Sequence, residues 1–112
     1  MVLIDSNVFI AAFRKEEKKH EEALQLILKA DEIVVLDYVL GEIGTILLLK
    51  EGREVMSHVV EFLTDSENIS ISRLNQSELL KTIVFFRHQK GTLSFTDAAL
   101  LVVARERNLE LV

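Results

Sequence analysis

Apolar residues along this chain fall into two alternating patterns: short runs rich in β-branched residues, and longer stretches with helical spacing. Val2-Leu3-Ile4 is a run of strand length, broken at once by Asp5-Ser6-Asn7, three residue types that favour turns and helix N-caps. Val8 to Phe13 then reads as a short apolar helix, and Arg14 to Lys19 as a mixed-charge connection. Over Glu21 to Ala30, residues Ala23, Leu24, Ile27 and Leu28 share one stripe, the spacing of an amphipathic helix. Ile33-Val34-Val35-Leu36 is the second strand. Asp37 after it predicts an N-cap for a helix over Tyr38 to Lys50, which Gly52 ends.

The second half continues the alternation. Glu54 to Leu63 places Val55, His58, Val59 and Phe62 at helical spacing, and Asn68 to Ser72 alternates Ile69 and Ile71 with polar residues, as a strand does. Gln76 to Gln89 predicts a helix with Leu79, Leu80, Ile83, Val84 and Phe86 facing inward, closed by Lys90-Gly91. Thr96 to Arg107 is the last helix and Leu109 to Val112 the last strand. Strands that alternate with helices pair in parallel through right-handed crossovers. The expected architecture is therefore α/β: a three-layer α/β/α sandwich around a mainly parallel sheet of about four strands, in a single domain over residues 1–112.

Composition narrows the chemistry. A chain of 112 residues, 49% hydrophobic and 28% charged, can bury one core but not two. It has no Cys, which excludes disulfides, thiolate nucleophiles, zinc ribbons and Fe–S clusters, so any metal must sit on carboxylates or His. Asp5 interrupts the N-terminal apolar stretch and no apolar run is long enough to cross a bilayer; the expectation is a cytoplasmic protein with no membrane partner. A net charge of −5 argues against a protein that coats nucleic acid by phosphate neutralisation. It leaves room for an enzyme that concentrates negative charge at a metal site. The mean hydropathy of +0.26 is high for so small a domain and predicts apolar surface left over for a second copy of the chain.

In an open parallel sheet, function gathers beyond the carboxyl ends of the strands. Asp5 ends the first strand, Glu42 lies one turn into the helix after the second, and Asp97 begins the helix that feeds the last. Glu42 is the only charged residue between Tyr38 and Leu49, and its neighbours three and four positions away are Tyr38, Val39, Thr45 and Ile46. Asp97 has Leu93, Ser94, Leu100 and Leu101 at those spacings, and Asp5 is bracketed by Ile4 and Val8. Burying an unpaired carboxylate costs several kcal/mol, and two of them about 4 Å apart repel by roughly 4 kcal/mol at an effective dielectric of about 20. The three acids are therefore expected to converge on one divalent cation, Mg²⁺ or Mn²⁺, which oxygen-only ligands favour. Such a site can activate water for in-line attack on a phosphodiester.

Plainer readings stand beside this one. Ser94-x-x-Asp97 also spells a capping box, Asp5 also suits a turn or cap, and Asp37 is read as an N-cap. Glu42 has no such use. His20, His58 and His88 lack ligand spacing and read as ordinary helix residues, and Arg14 to Glu22 as a solvated face. Gly41 and Gly44 each cost their helix about 1 kcal/mol against Ala, which predicts close packing or phosphate approach beside Glu42.

Asp5-Ser6-Asn7 after an apolar strand, Leu40-Gly41-Glu42-Ile43, and Ser94-Phe95-Thr96-Asp97-Ala98 together resemble the PIN-domain ribonucleases, especially the VapC-like toxins of prokaryotic toxin-antitoxin pairs. The resemblance implies a Mg²⁺- or Mn²⁺-dependent endoribonuclease acting on RNA, commonly a homodimer, held inactive by a cognate antitoxin in its groove. It implies Asp5, Glu42 and Asp97 as catalytic metal ligands, Asn7 orienting the carboxylates, and Ser6, Ser94 and Thr96 as supporting hydroxyls. The family usually carries a fourth acid just after its last strand, in a Thr-x-Asp-like segment, and this sequence stops at Val112 before one occurs. The expectation is thus a PIN-like domain lacking its extreme C-terminal segment. That departure motivates an alternative: a catalytically impaired PIN-like scaffold that dimerises and binds a protein partner. A phosphotransfer enzyme with Asp5 as nucleophile fits less well, since Asp5-Ser6-Asn7 lacks a second Asp, and no glycine-rich phosphate loop is present. For stacking on single-stranded RNA only Tyr38 and six Phe are available, mostly at core-like positions.

Overall fold

The computed structural model describes all residues, Met1 to Val112. In chain order the elements are β1 (Val2–Leu3), α1 (Ser6–Phe13), α2 (His20–Lys29), β2 (Ile33–Leu36), α3 (Asp37–Glu51), α4 (Arg53–Asp65), β3 (Ile69–Ser72), α5 (Gln76–His88), α6 (Phe95–Glu106) and β4 (Glu110–Leu111). The strands form one sheet in the order β3-β2-β1-β4, and every pair is parallel. Val2 is in register with Ile33 on one side and Glu110 on the other. The expected α/β architecture holds, with a sheet that is wholly rather than mainly parallel.

Successive strand residues point to opposite faces, and all four residues of β2 are buried, so helices cover the sheet on both sides. The core joins Leu3 and Ile4 of the first strand region to Phe9 of α1, Ile27 of α2, Val39, Ile43 and Leu47 of α3, Leu63 of α4 and Leu100 and Val103 of α6. Between α3 and α4 the chain turns at Gly52, whose φ of +94° lies where a side chain is strained; its N–H closes α3 by bonding the carbonyls of Leu47 and Leu48.

Three expectations about faces need correction. The apolar stripe of α5 does not point inward: Leu80 is 53% and Val84 57% exposed, Ile83 and Phe86 are exposed, and Leu79 is only half-buried. Its buried positions are Glu78 and Thr82. The cause is topological: α6 supplies Ala99, Leu100 and Val103 to the core, and α5 packs principally against α6 instead of the sheet. In α4 the buried face runs through Val59 and Leu63, while Phe62 is turned outward and meets Phe13 edge to face at 5.7 Å. The segment from Arg14 is not simply a solvated face either. The Arg14 side chain, 14% exposed, donates from Nε to Glu51 at 2.9 Å, from Nη1 to Glu17 at 2.9 Å and from Nη2 to Glu16 at 3.0 Å, tying the end of α1 to the end of α3. Nearby, His20 Nδ1 lies 2.8 Å from the Ala11 carbonyl and donates to it, satisfying an acceptor near the end of α1.

Of the two buried polar residues of α5, Thr82 donates its hydroxyl to the Glu78 carbonyl at 2.8 Å, and Glu78 belongs to a second clamp. Arg107, just beyond α6, donates from Nε to Glu78 Oε2 at 2.7 Å and from Nη2 to Glu78 Oε1 at 2.8 Å, and reaches Ser72 Oγ and the Arg73 carbonyl as well. Glu78 also completes a capping box with Asn75: its N–H donates to Asn75 Oδ1 and its carboxylate accepts from the Asn75 N–H. The Arg107 guanidinium holds the Glu78 carboxyl below its ordinary range, outweighing the opposing effect of burial. A depressed folded value means that Glu78 stabilises the fold at neutral pH, and that this contribution fades as pH falls below the usual carboxylate value of about 4.3. Glu78→Gln is expected to cost about 2 kcal/mol at neutral pH, because Arg107 loses a charged acceptor. It should also flatten the loss of stability between about pH 5 and pH 3. Urea titration of wild type and variant across that range measures both effects.

Candidate active site

Asp5 leaves the sheet immediately after β1. Its N–H donates to the Val112 carbonyl at 3.1 Å, so the end of β4 is bonded directly to it. Its side chain caps α1: Oδ1 accepts from the Ser6 N–H at 2.6 Å and from the Ser6 hydroxyl at 3.3 Å. Ser6 is buried, and its hydroxyl has no other side-chain partner. Oδ2 makes no hydrogen bond. Asn7 does not bond any of the acids; it lines a separate hollow with Ile10, Lys18 and Lys19.

The α3 helix begins one residue earlier than the sequence implies, so Asp37 is its first residue and not its N-cap. Asp37 Oδ1 accepts from the Tyr38 N–H at 2.9 Å, where a carboxylate complements the positive end of the helix. Glu42 follows one turn later, half-buried, with neither a hydrogen bond nor an ion pair to its carboxylate. At the start of α6, Ser94 Oγ accepts from the Asp97 N–H at 3.1 Å. The reciprocal bond that would complete a capping box, present at Asn75 and Glu78, is not made here. The Asp97 carboxylate is thus left free by a cap that needs only Ser94.

One cleft of about 680 Å³ opens on this edge, lined by Asp37, Tyr38, Gly41, Glu42, Thr45 and Ile46 of α3 and Thr96 of α6. That volume falls in the ordinary range for ligand sites. The structure brings Glu42 and Thr96 together in the cleft. Asp5 and Asp97 stand at the same edge but outside its lining, and no three His, Asp or Glu side chains are close enough together to hold a metal ion. Asp37, expected only as a cap, Tyr38, expected only as one of the aromatics available for stacking, and Thr45, for which the sequence carries no role, join the site. The signal was helical spacing, since Tyr38 lies four residues before Glu42 and Thr45 three after it.

Electrostatics set this edge apart. The ion pairs of the protein use Arg14, Lys81 and Arg107, and none reaches Asp5, Asp37, Glu42 or Asp97. Four carboxylates therefore share one sheet edge without a cation. Their chemistry fits a hard divalent ion: the donors are oxygens only, and Mg²⁺ is commonly held by one or two carboxylates with waters and substrate phosphates, not by a closed protein cage. The glycines beside Glu42 differ from expectation. A Cβ on Gly41 would meet nothing within 4 Å, and one on Gly44 only the Val60 side chain at 3.7 Å, an ordinary contact. Close packing requires neither glycine, and only Gly41 faces the cleft.

Comparison with known proteins bears on both fold and site. No curated protein matches the sequence significantly. Among solved structures, Mycobacterium tuberculosis VapC20, described as a sarcin-ricin loop cleaving toxin, superposes with a TM-score of 0.84 at 21% identity, over 97% of this chain and 85% of that one. VapBC2 from Rickettsia felis, bound to a DNA fragment from its promoter, gives 0.71 at 17% identity over 99% and 86%. A toxin-antitoxin complex from Klebsiella pneumoniae gives 0.70 at 17% over 99% and 83%. At these identities the likeness is one of fold. The family is carried by sequence, where the model of the PIN domain matches residues 2–112, and the chain belongs to the PIN domain family.

Proposed function

We propose that this chain is a metal-dependent endoribonuclease that hydrolyses RNA phosphodiester bonds, and that it is the toxin of a toxin-antitoxin pair acting in the cytoplasm. The observation that carries the reading is the set of half-buried carboxylates on one sheet edge with no cation to neutralise them. Asp5, Glu42 and Asp97 would hold Mg²⁺ or Mn²⁺, whose chemistry when bound is water activation and stabilisation of charge on the phosphate. Ser6 fixes the Asp5 carboxylate through its hydroxyl and N–H, and Ser94 takes the capping bond of α6, which leaves Asp97 available. Thr96 offers a hydroxyl on the cleft wall, and Gly41 leaves the α3 main chain open to an approaching phosphate. An antitoxin would inhibit by filling the same cleft.

The apolar face of α5 finds its use in the same reading. Leu80, Ile83 and Val84 with Leu101 of α6 form exposed surface next to Lys81, Arg105 and Glu106. A two-fold contact between copies would bury that patch, whose Lys81 and Glu106 are already paired with each other.

Mn²⁺ calorimetry on wild type and Glu42→Gln tests the site. Binding by wild type and its loss in the folded variant are expected, and Asp5→Asn should cut RNA at least about 100-fold more slowly, the upper end of what removing an outer-sphere partner costs. A wild type that binds no Mn²⁺ would make the dimerising scaffold the better account. The glycines separate stability from function: Gly41→Ala and Gly44→Ala should each raise helix stability by about 1 kcal/mol, while only Gly41→Ala slows cleavage. Thermal melts and cleavage assays on the pair decide this. Sedimentation velocity should find a dimer for wild type and a monomer, with unchanged circular dichroism, for Leu80→Glu/Val84→Glu.

A further inference from the structure

Tyr38 is the sole tyrosine of a chain with no tryptophan, and it stands on the wall of the cleft with 43% of its surface exposed. Its ring is nonetheless held: Tyr38 meets Phe95 edge to face at 5.8 Å, and Phe95 meets Phe86 edge to face at 5.6 Å. The three rings form a ladder from α3, over the start of α6, to the end of α5. A T-shaped contact covers an edge or one face of a ring, so the contact with Phe95 leaves at least one face of Tyr38 uncovered at the cleft wall. Phe86 is itself 40% exposed and is followed by the exposed bases Arg87, His88 and Lys90. An acidic cleft thus continues into an aromatic ladder and then into positive charge.

We propose that Tyr38 is a base-stacking platform. Single-stranded RNA crossing the cleft would lay a base beside the scissile phosphate on the open face of Tyr38, with Phe95 and Phe86 bracing the ring and Arg87 and Lys90 meeting phosphates further along the strand. The inference rests on the nuclease reading for its substrate class. Single strands are required because only an unstacked base can reach such a ring; in an A-form duplex the base faces are closed to side chains. Because the ring is already held by Phe95, little of its freedom remains to be lost on binding.

The lone tyrosine makes the test direct, since its emission reports on this ring alone. A short oligoadenylate RNA, with Ca²⁺ in place of Mg²⁺ and the RNA verified intact, is titrated into wild type, with absorbance corrected against N-acetyltyrosinamide. Quenching by the single strand and none by the matching duplex is expected. By polarisation of end-labelled RNA, Tyr38→Ala should bind about tenfold more weakly and Tyr38→Phe at wild-type strength, with circular dichroism checking both folds. Should Tyr38→Ala fail to fold, the quenching and the Tyr38→Phe affinity decide. Bound RNA that leaves the emission unchanged, or a folded Tyr38→Ala with wild-type affinity, overturns the platform. Quenching without any cleavage in Mg²⁺ or Mn²⁺ keeps the platform and removes the nuclease. Cleavage by wild type and Tyr38→Ala alike, without quenching, does the reverse, and RNA neither bound nor cut removes both.

Discussion

The parallel ladder on both sides of β1 is the constraint on which the rest depends. The strand is two residues long, yet main-chain bonds run from Val2 N–H to Glu32, from Ile4 N–H to Val34, from Asp5 N–H to Val112 and from Val112 N–H to Leu3. Leu3 and Ile4 are fully buried, so the bonds made by the Ile4 N–H and the Leu3 carbonyl each replace an unmet donor or acceptor that would cost about 1 to 3 kcal/mol. Because every neighbour is parallel, the helices that follow β1 and β2 and the helix that precedes β4 all begin at one edge. An antiparallel β4 would have put Asp97 at the far end of the sheet.

Charge is divided between that edge and the rest of the molecule. Arg14 draws Glu16, Glu17 and Glu51 together, and Arg107 takes Glu78, each fastening helix ends away from the cleft. At the cleft edge the partners are neutral: Ser6 for Asp5, the Tyr38 N–H for Asp37, Ser94 in place of Asp97. What compensates the acids locally is the positive end of α1, α3 and α6, worth about 0.3 to 1 kcal/mol per carboxylate. That is less than a paired guanidinium supplies, and partial exposure makes up the difference. The edge is left able to attract a cation that the rest of the protein does not need.

Much of this was legible from sequence because the signals were local. Val2-Leu3-Ile4 and Ile33 to Leu36 read as strands, and the lone acid Glu42 on an apolar helix pointed to its edge of the sheet. The α5 face was misread because its stripe of Leu80, Ile83 and Val84 has the period of a core helix, while its true burial is set by Arg107, 29 residues from Glu78. Periodicity reports a face, not what covers it. That Glu42 lines the cleft while Asp5 and Asp97 stand outside its lining was beyond reach for the same reason: spacing assigns each acid to an edge, but positions along that edge come from tertiary packing. Tyr38 shared the helical face of Glu42, yet its exposure depends on Phe95, more than fifty positions away.

The misread helix is also what steadies the candidate site. α5 and α6 run antiparallel and are joined at both ends, by Glu78 with Arg107 at one and by Phe86 with Phe95 at the other. The first junction is ionic and fixes the position of α5 against β3 through Ser72. The second is aromatic and ends one residue before Thr96 and two before Asp97. A helix held at only one end would leave the start of α6 free to pivot, and with it the wall that Thr96 shares with Glu42. The geometry of the cleft is therefore maintained by an ion pair at the opposite end of the helix pair, through a helix that contributes little to the core.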